Sequence, residues 1–176
     1  GRLVAKPAMS YPHNSLFFEV AYRIRQQLEG LPFHVRANAG RTRVDESRYY
    51  VPDVLVLTAA QLAAQREHPH ELETYPDPLP LVVEVWSRST GDYDIAEKLP
   101  NYIERGDLEI WRLHPYDRTL TTWRRQEDGT YTSMEIRTGK VRLHAIPAVS
   151  IDLDQLWATR TERGTRLRTT YTMPGH

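Results

Sequence analysis

Two short runs dense in β-forming residues each hold one acid and otherwise almost no charge: Val51 to Leu57 around Asp53, and Leu81 to Trp86 around Glu84. The second run is as apolar as a central strand covered on both faces. In such a strand an ionised carboxylate is costly unless it is paired or binds a cation. The fold must therefore bring something positive to these acids. Pro52 opens the first run, a place where its missing N–H costs no ladder bond.

The segment after the Glu84 run holds a candidate for that positive charge. Ser87 to Gly91 is turn material, and a helix is expected from about Tyr93 to Arg105, ending at Gly106. On it Asp94, Lys98 and Tyr102 recur at helical spacing and share a face. Ile95, Leu99 and Ile103 form the adjacent apolar stripe, so the helix can lie on a sheet with Asp94 and Lys98 at the stripe's edge. Pro100 removes one backbone bond and crowds Ala96, which predicts a kink or local irregularity.

Elsewhere the elements are ordinary. Tyr11 to Ser15 reads as a loop ending in capping residues, followed by a helix whose Leu16, Val20, Ile24 and Leu28 make one buried stripe before Gly30. Phe33 to Val44 fits two strands around Ala39-Gly40, with Arg36, Arg41 and Arg43 outward. Residues 58 to 80 begin as a short helix and become a polar, proline-bearing, exposed loop. Glu109 to Leu113 reads as a strand, Thr119 to Arg124 and Tyr131 to Ile136 as a hairpin across Asp128-Gly129, and Val149 to Asp152 as a last strand before a short helix near Leu156.

The 176 residues suit one domain able to bury a core without staples. Residues 1–157 are expected to form it, leaving 158–176 as a basic, flexible tail with Arg160, Arg163, Arg166 and Arg168 against Glu162. Lys plus Arg, 23, equals Asp plus Glu, 23, so no strong field steers the molecule to a polyanion and any nucleic-acid affinity must be local. No segment reads as a membrane span or export signal, and there is no cysteine. The expectation is a soluble, cytoplasmic protein without disulfides.

Two acids on apolar strands and one nearby amine suit phosphodiester hydrolysis. Mg²⁺ or Mn²⁺ takes hard oxygen ligands, lowers the pKa of a bound water and offsets charge growing on the phosphate. Lys98 can orient that water or steady the phosphate, and the carboxylates favour its charge. The plain alternative for Glu84 is a buried ion pair with Lys98 or Arg88.

The ordered set Val51-Pro52-Asp53-Val54, Leu81-Val82-Val83-Glu84-Val85-Trp86-Ser87, Asp94-Ile95-Ala96-Glu97-Lys98-Leu99-Pro100-Asn101-Tyr102, then Gly106 and Glu109-Ile110-Trp111, resembles the Uma2 family of restriction-endonuclease-like proteins in the PD-(D/E)XK nuclease superfamily. The resemblance implies an α/β fold with a mixed central β-sheet flanked by α-helices. It implies Asp53 and Glu84 as metal ligands, with the carbonyl of Val85 as a further oxygen, in a DNA endonuclease; because cutting both strands of a duplex often uses paired subunits, a homodimer is the expected assembly. Much of the superfamily carries its lysine two residues after the acid, where this chain has Trp86; Lys98 on the next helix looks like the migrated amine. His13 matches a histidine often seen in the family, although a capping or exposed residue explains it as simply, and Asp94 reads as a helix-surface partner of Lys98. Gly106-Asp107-Leu108 and Arg112-Leu113-His114 depart from the family pattern, the latter where an apolar strand ending in an acid is usual. The rival reading is a module on the same fold that binds nucleic acid or a partner without cutting. Trp86, Trp111 and Trp123 are read as core rather than as base-stacking platforms.

Overall fold

A computed structural model describes residues 9–45, 48–89 and 91–162, with side chains to residue 158. Most of the expected basic tail, residues 163–176, lies outside the described residues.

The centre is a six-stranded sheet ordered β1 (Phe33–Ala37), β4 (Val54–Thr58), β6 (Leu81–Val85), β7 (Glu109–His114), β8 (Thr119–Arg125) and β9 (Tyr131–Ile136). Only β6 and β7 run parallel, so the sheet is mixed. Their connection is the segment predicted as a helix, because a parallel pair needs a crossover. Every residue of β6 is buried. Alternate residues serve opposite faces. Val83, Val85, Trp111 and Leu113 join the larger core, while Val82 and Ile110 join a second one with Leu55, Leu57, Leu79 and Tyr102.

Helix α1 (Tyr11–Gln27) covers the first face through the expected stripe of Leu16, Val20, Ile24 and Leu28. It begins earlier than the sequence reading placed it. Ser10 is the cap, accepting from the His13 N–H, and Pro12 sits in the first turn, where its missing N–H is not needed. His13 is thereby carried on a helix and not in a loop. Helix α5 (Leu153–Glu162) and a two-stranded ribbon of β10 (Lys140–Arg142) with β11 (Ser150–Asp152) complete that layer. The expected domain boundary at 157 falls within α5.

Two other expectations change. The strands around Ala39-Gly40 both form, but β1 enters the central sheet while β2 (Arg41–Arg43) joins β3 (Tyr49–Tyr50) and β5 (Thr74–Tyr75) in a separate three-stranded sheet. Gly40, at φ +83°, makes the redirection; a Cβ there would meet the Tyr75 ring at 2.9 Å. Residues 58–80 do start as a helix, α2 (Ala59–Arg66), closed by a capping box of Thr58 and Gln61. Their later part is not simply exposed, since Tyr75 and Leu79 are buried.

The crossover is irregular where Pro100 foretold it. A turn of α3 (Gly91–Tyr93) leads into a π-helical turn, Asp94–Lys98, and then α4 (Leu99–Arg105) with Pro100 in its first turn. The Leu99 N–H reaches back five residues to the Asp94 carbonyl. That wider turn starts α4 afresh, so the proline lies where no N–H is needed. Gly106, at φ +78°, ends it.

Candidate active site

The predicted residues meet at the C-terminal end of β6. Asp53 lies in the bend just before β4 rather than within it, in line with Glu84 on β6, because Val54 pairs with Val83. Its Oδ2 accepts from the Val85 N–H at 2.8 Å and from His13 Nε2 at 3.0 Å. Helix α1, on one face of the sheet, thus reaches the strand ends through His13, which is 1% exposed. The capping or exposed role is replaced by a buried contact to the acid.

From the other face Lys98 reaches in, its Nζ 3.0 Å from Glu84 Oε1 and 2.8 Å from Asp94 Oδ1. Tyr102, one turn on, donates its hydroxyl to the same Glu84 oxygen at 2.7 Å. The shared face of Asp94, Lys98 and Tyr102 therefore survives the π turn and points inward. Asp94 is the expected i,i+4 partner of Lys98, but it is buried instead of on the surface. The cause is the crossover lying directly over the strand that carries Glu84.

Three carboxylates, each 4–5% exposed, thus stand close together against the Lys98 ammonium and, when it is protonated, the His13 ring. The electrostatics follow. Burial pushes Glu84 up to about 8; Lys98 opposes that, Asp53 and Asp94 add to it, and the Tyr102 hydrogen bond opposes it. Burial alone would lower Lys98, yet Glu84 and Asp94 hold it above the ordinary amine range. Tyr102 is raised by burial and by the adjacent Glu84 charge.

Each strand acid commits one oxygen. Among the described residues, Asp53 Oδ1 and Glu84 Oε2 take no hydrogen bond. No three His, Cys, Asp or Glu side chains among the described residues form a ready-made metal cluster. The donor set is instead two carboxylates with one open oxygen each, beside the backbone of Val85. This fits Mg²⁺, which commonly keeps several waters and takes only one or two carboxylates.

Other charged and aromatic residues sit apart. Arg36 pairs with Glu73, while Arg41 and Arg43 lie over the Tyr49 ring in a cleft of about 500 Å³ that includes none of Asp53, Glu84 and Asp94. His68 pairs with Glu71 at 3.7 Å on the surface. Trp111 is core and Trp123 packs on the second core, but Trp86 is only half-buried. Sequence reasoning missed the roles of Tyr102 and His13 as hydrogen-bond donors to the acids; the i+4 spacing of Tyr102 from Lys98 was the available signal.

A mixed central sheet flanked by helices is the architecture expected of a restriction-endonuclease-like protein. The sequence model of the Uma2 family, described as "Putative restriction endonuclease", matches residues 1–154, and the chain belongs to that family. No curated protein sequence matches it. Among solved structures it is similar to one described as a "putative nuclease belonging to DUF820" from Anabaena variabilis, at 15% identity with a TM-score of 0.73, covering 90% of this chain and 87% of that one. At that identity the likeness concerns the fold. No helix among the described residues is long and apolar enough to cross a membrane.

Proposed function

We propose that the chain is a metal-dependent DNA endonuclease, with Asp53, Glu84 and the Val85 carbonyl holding Mg²⁺ or Mn²⁺ and Lys98 serving the attacking water or the phosphate. The observation that carries this reading is the unequal use of the two strand acids: each is fixed through one oxygen and, among the described residues, leaves its other oxygen open. A purely structural pair would spend both. Membership of a nuclease family supports the same reaction class.

Bound there, a divalent ion would supply a water of lowered pKa and offset phosphate charge. The chain's own residues do the rest. His13 and the Val85 N–H hold the Asp53 carboxylate at the strand end. Tyr102 and Lys98 hold Glu84 from the opposite face, and Asp94 restrains Lys98. Lys98 keeps its proton at neutral pH, so it acts as a fixed positive charge and hydrogen-bond donor, not as a base.

The reading separates binding from cutting. Asp53→Ala and Glu84→Ala should abolish Mn²⁺ binding measured by titration calorimetry, whereas Lys98→Ala should bind Mn²⁺ and lose most plasmid cleavage. Unchanged cleavage by all three purified variants rejects it. Duplex binding in chelator with no hydrolysis under any divalent metal would instead leave a non-cleaving module.

A further inference from the structure

Beside the acids lies a group of side chains that the proposed reaction does not use. Register places Arg112 of β7 next to Glu84, and just past the end of β6 Trp86 lies against His114. All four face the crossover side of the sheet. The Trp86 and His114 rings stack with centroids 4.3 Å apart and a 31° tilt, and Tyr116 meets both edge-on at 5.8 and 6.2 Å. Tyr116 is 50% exposed, so this aromatic shelf opens to solvent. Its inner edge is fixed by Gly91, where a Cβ would lie 1.9 Å from the indole Nε1.

Arg112 is the anomaly. Among the described residues its Nε is enclosed and without a hydrogen-bond partner, and its Nη2 makes only a long 3.4 Å bond to the Gly91 carbonyl. No acid among the described residues pairs with it. A partly buried guanidinium without an anion is costly. Its fork matches a phosphate, and aromatic faces accept any base. Arg112 and His114 also fall in the segment that departs from the family pattern.

We propose that Arg112, Trp86, His114 and Tyr116 form a nucleotide subsite beside the proposed cutting centre, the guanidinium taking a backbone phosphate and the shelf taking one unstacked base. A base inside an intact duplex cannot reach such a shelf without leaving its stack. The substrate class is accordingly DNA with an unpaired base next to the scissile phosphate: single strands, flaps or distorted duplex. Only the relation to the scissile phosphate depends on the function proposed above. Binding by the shelf does not.

The test is therefore run in chelator, where cutting is silent. A fluorescent oligothymidylate and the matching duplex are titrated by anisotropy against the full chain, alongside a 2-aminopurine strand whose emission falls on stacking. Expected is single-strand binding at least about tenfold tighter than duplex binding, with quenching. Tyr116→Ala, at an exposed position, should weaken single-strand binding about tenfold, the scale of one lost base stack, and Trp86→Ala should remove the quenching while Trp86→Phe keeps the affinity. Arg112→Gln should lower the salt slope by about 0.7, as for one lost phosphate contact. Equal affinity for both substrates, or binding indifferent to Tyr116→Ala and Arg112→Gln, overturns the subsite. If those variants weaken binding while no metal supports cleavage, the subsite stands and the nuclease reading falls.

Discussion

Two clusters of buried acid lie on this sheet, and they are built to opposite rules. In the first, Asp107 and Glu109 spend every carboxylate oxygen. Asp107 takes the Leu79 N–H at 2.7 Å and both arms of the Arg105 fork, while Glu109 takes Trp111, Arg124 and the His144 N–H. Each acid has its own arginine. In the second, Glu84 and Asp94 share Lys98 while Asp53 takes His13 and the Val85 N–H, and among the described residues one oxygen of Asp53 and one of Glu84 stay open. Burial alone therefore says little about a carboxylate's purpose. What separates a strut from a site is whether its oxygens are all engaged.

The contrast can be broken by substitution. Asp53→Ala and Glu84→Ala should each lower plasmid cleavage by about a thousandfold or more, on the order of 4 kcal/mol, while the folded fraction in urea stays near wild type. If either variant cleaves like wild type while losing about 3 kcal/mol of stability in urea, the second cluster is merely another strut. Next in size, Asp107→Ala should cost about 3 kcal/mol by urea denaturation, since it strands the buried Arg105, and lower the melting temperature by about 10 °C. A change below about 1 kcal/mol would erase the distinction from the other side.

A pH series sharpens the comparison further. Glu84 titrates near 8 in the folded chain against 4.5 as its ordinary value, so the folded state holds a proton that the unfolded state has released. Metal-free stability should be full below about pH 4.5 and decline as pH rises toward 8. Glu84→Gln should flatten that part of the profile. An unchanged slope in Glu84→Gln would mean another group carries it. The smallest effect expected is from His13→Gln. Loss of one donor to Asp53 should weaken Mn²⁺ affinity by about 10-fold, as changes outside the ligands commonly do, and an unaltered affinity would remove His13 from the site.

Much of this was legible beforehand because the signals were local. An apolar run broken by one acid marked β6 and Glu84, and the i,i+4 spacing of Asp94, Lys98 and Tyr102 marked one face of the crossover. Pro100 marked an irregularity, though not its form as a π turn. The pairing of β1 with β4 instead of β2 was hidden, since register depends on partners distant in sequence. The start of α1 was hidden too, because a loop and a proline-containing first turn share the same residues.

The sequence by itself determined which residues had to be compensated, for the cost of an isolated charge in an apolar strand is a property of the strand. Tertiary structure decided what compensates them: His13 from one face, Lys98 and Tyr102 from the other, and Asp94 drawn inward. It also decided which oxygens stay open and left the Arg112 Nε, among the described residues, without a hydrogen-bond partner. The physical reason is range. Periodicity and propensity act over a few residues, but the electrostatic environment of a buried group is set by every element that packs against it.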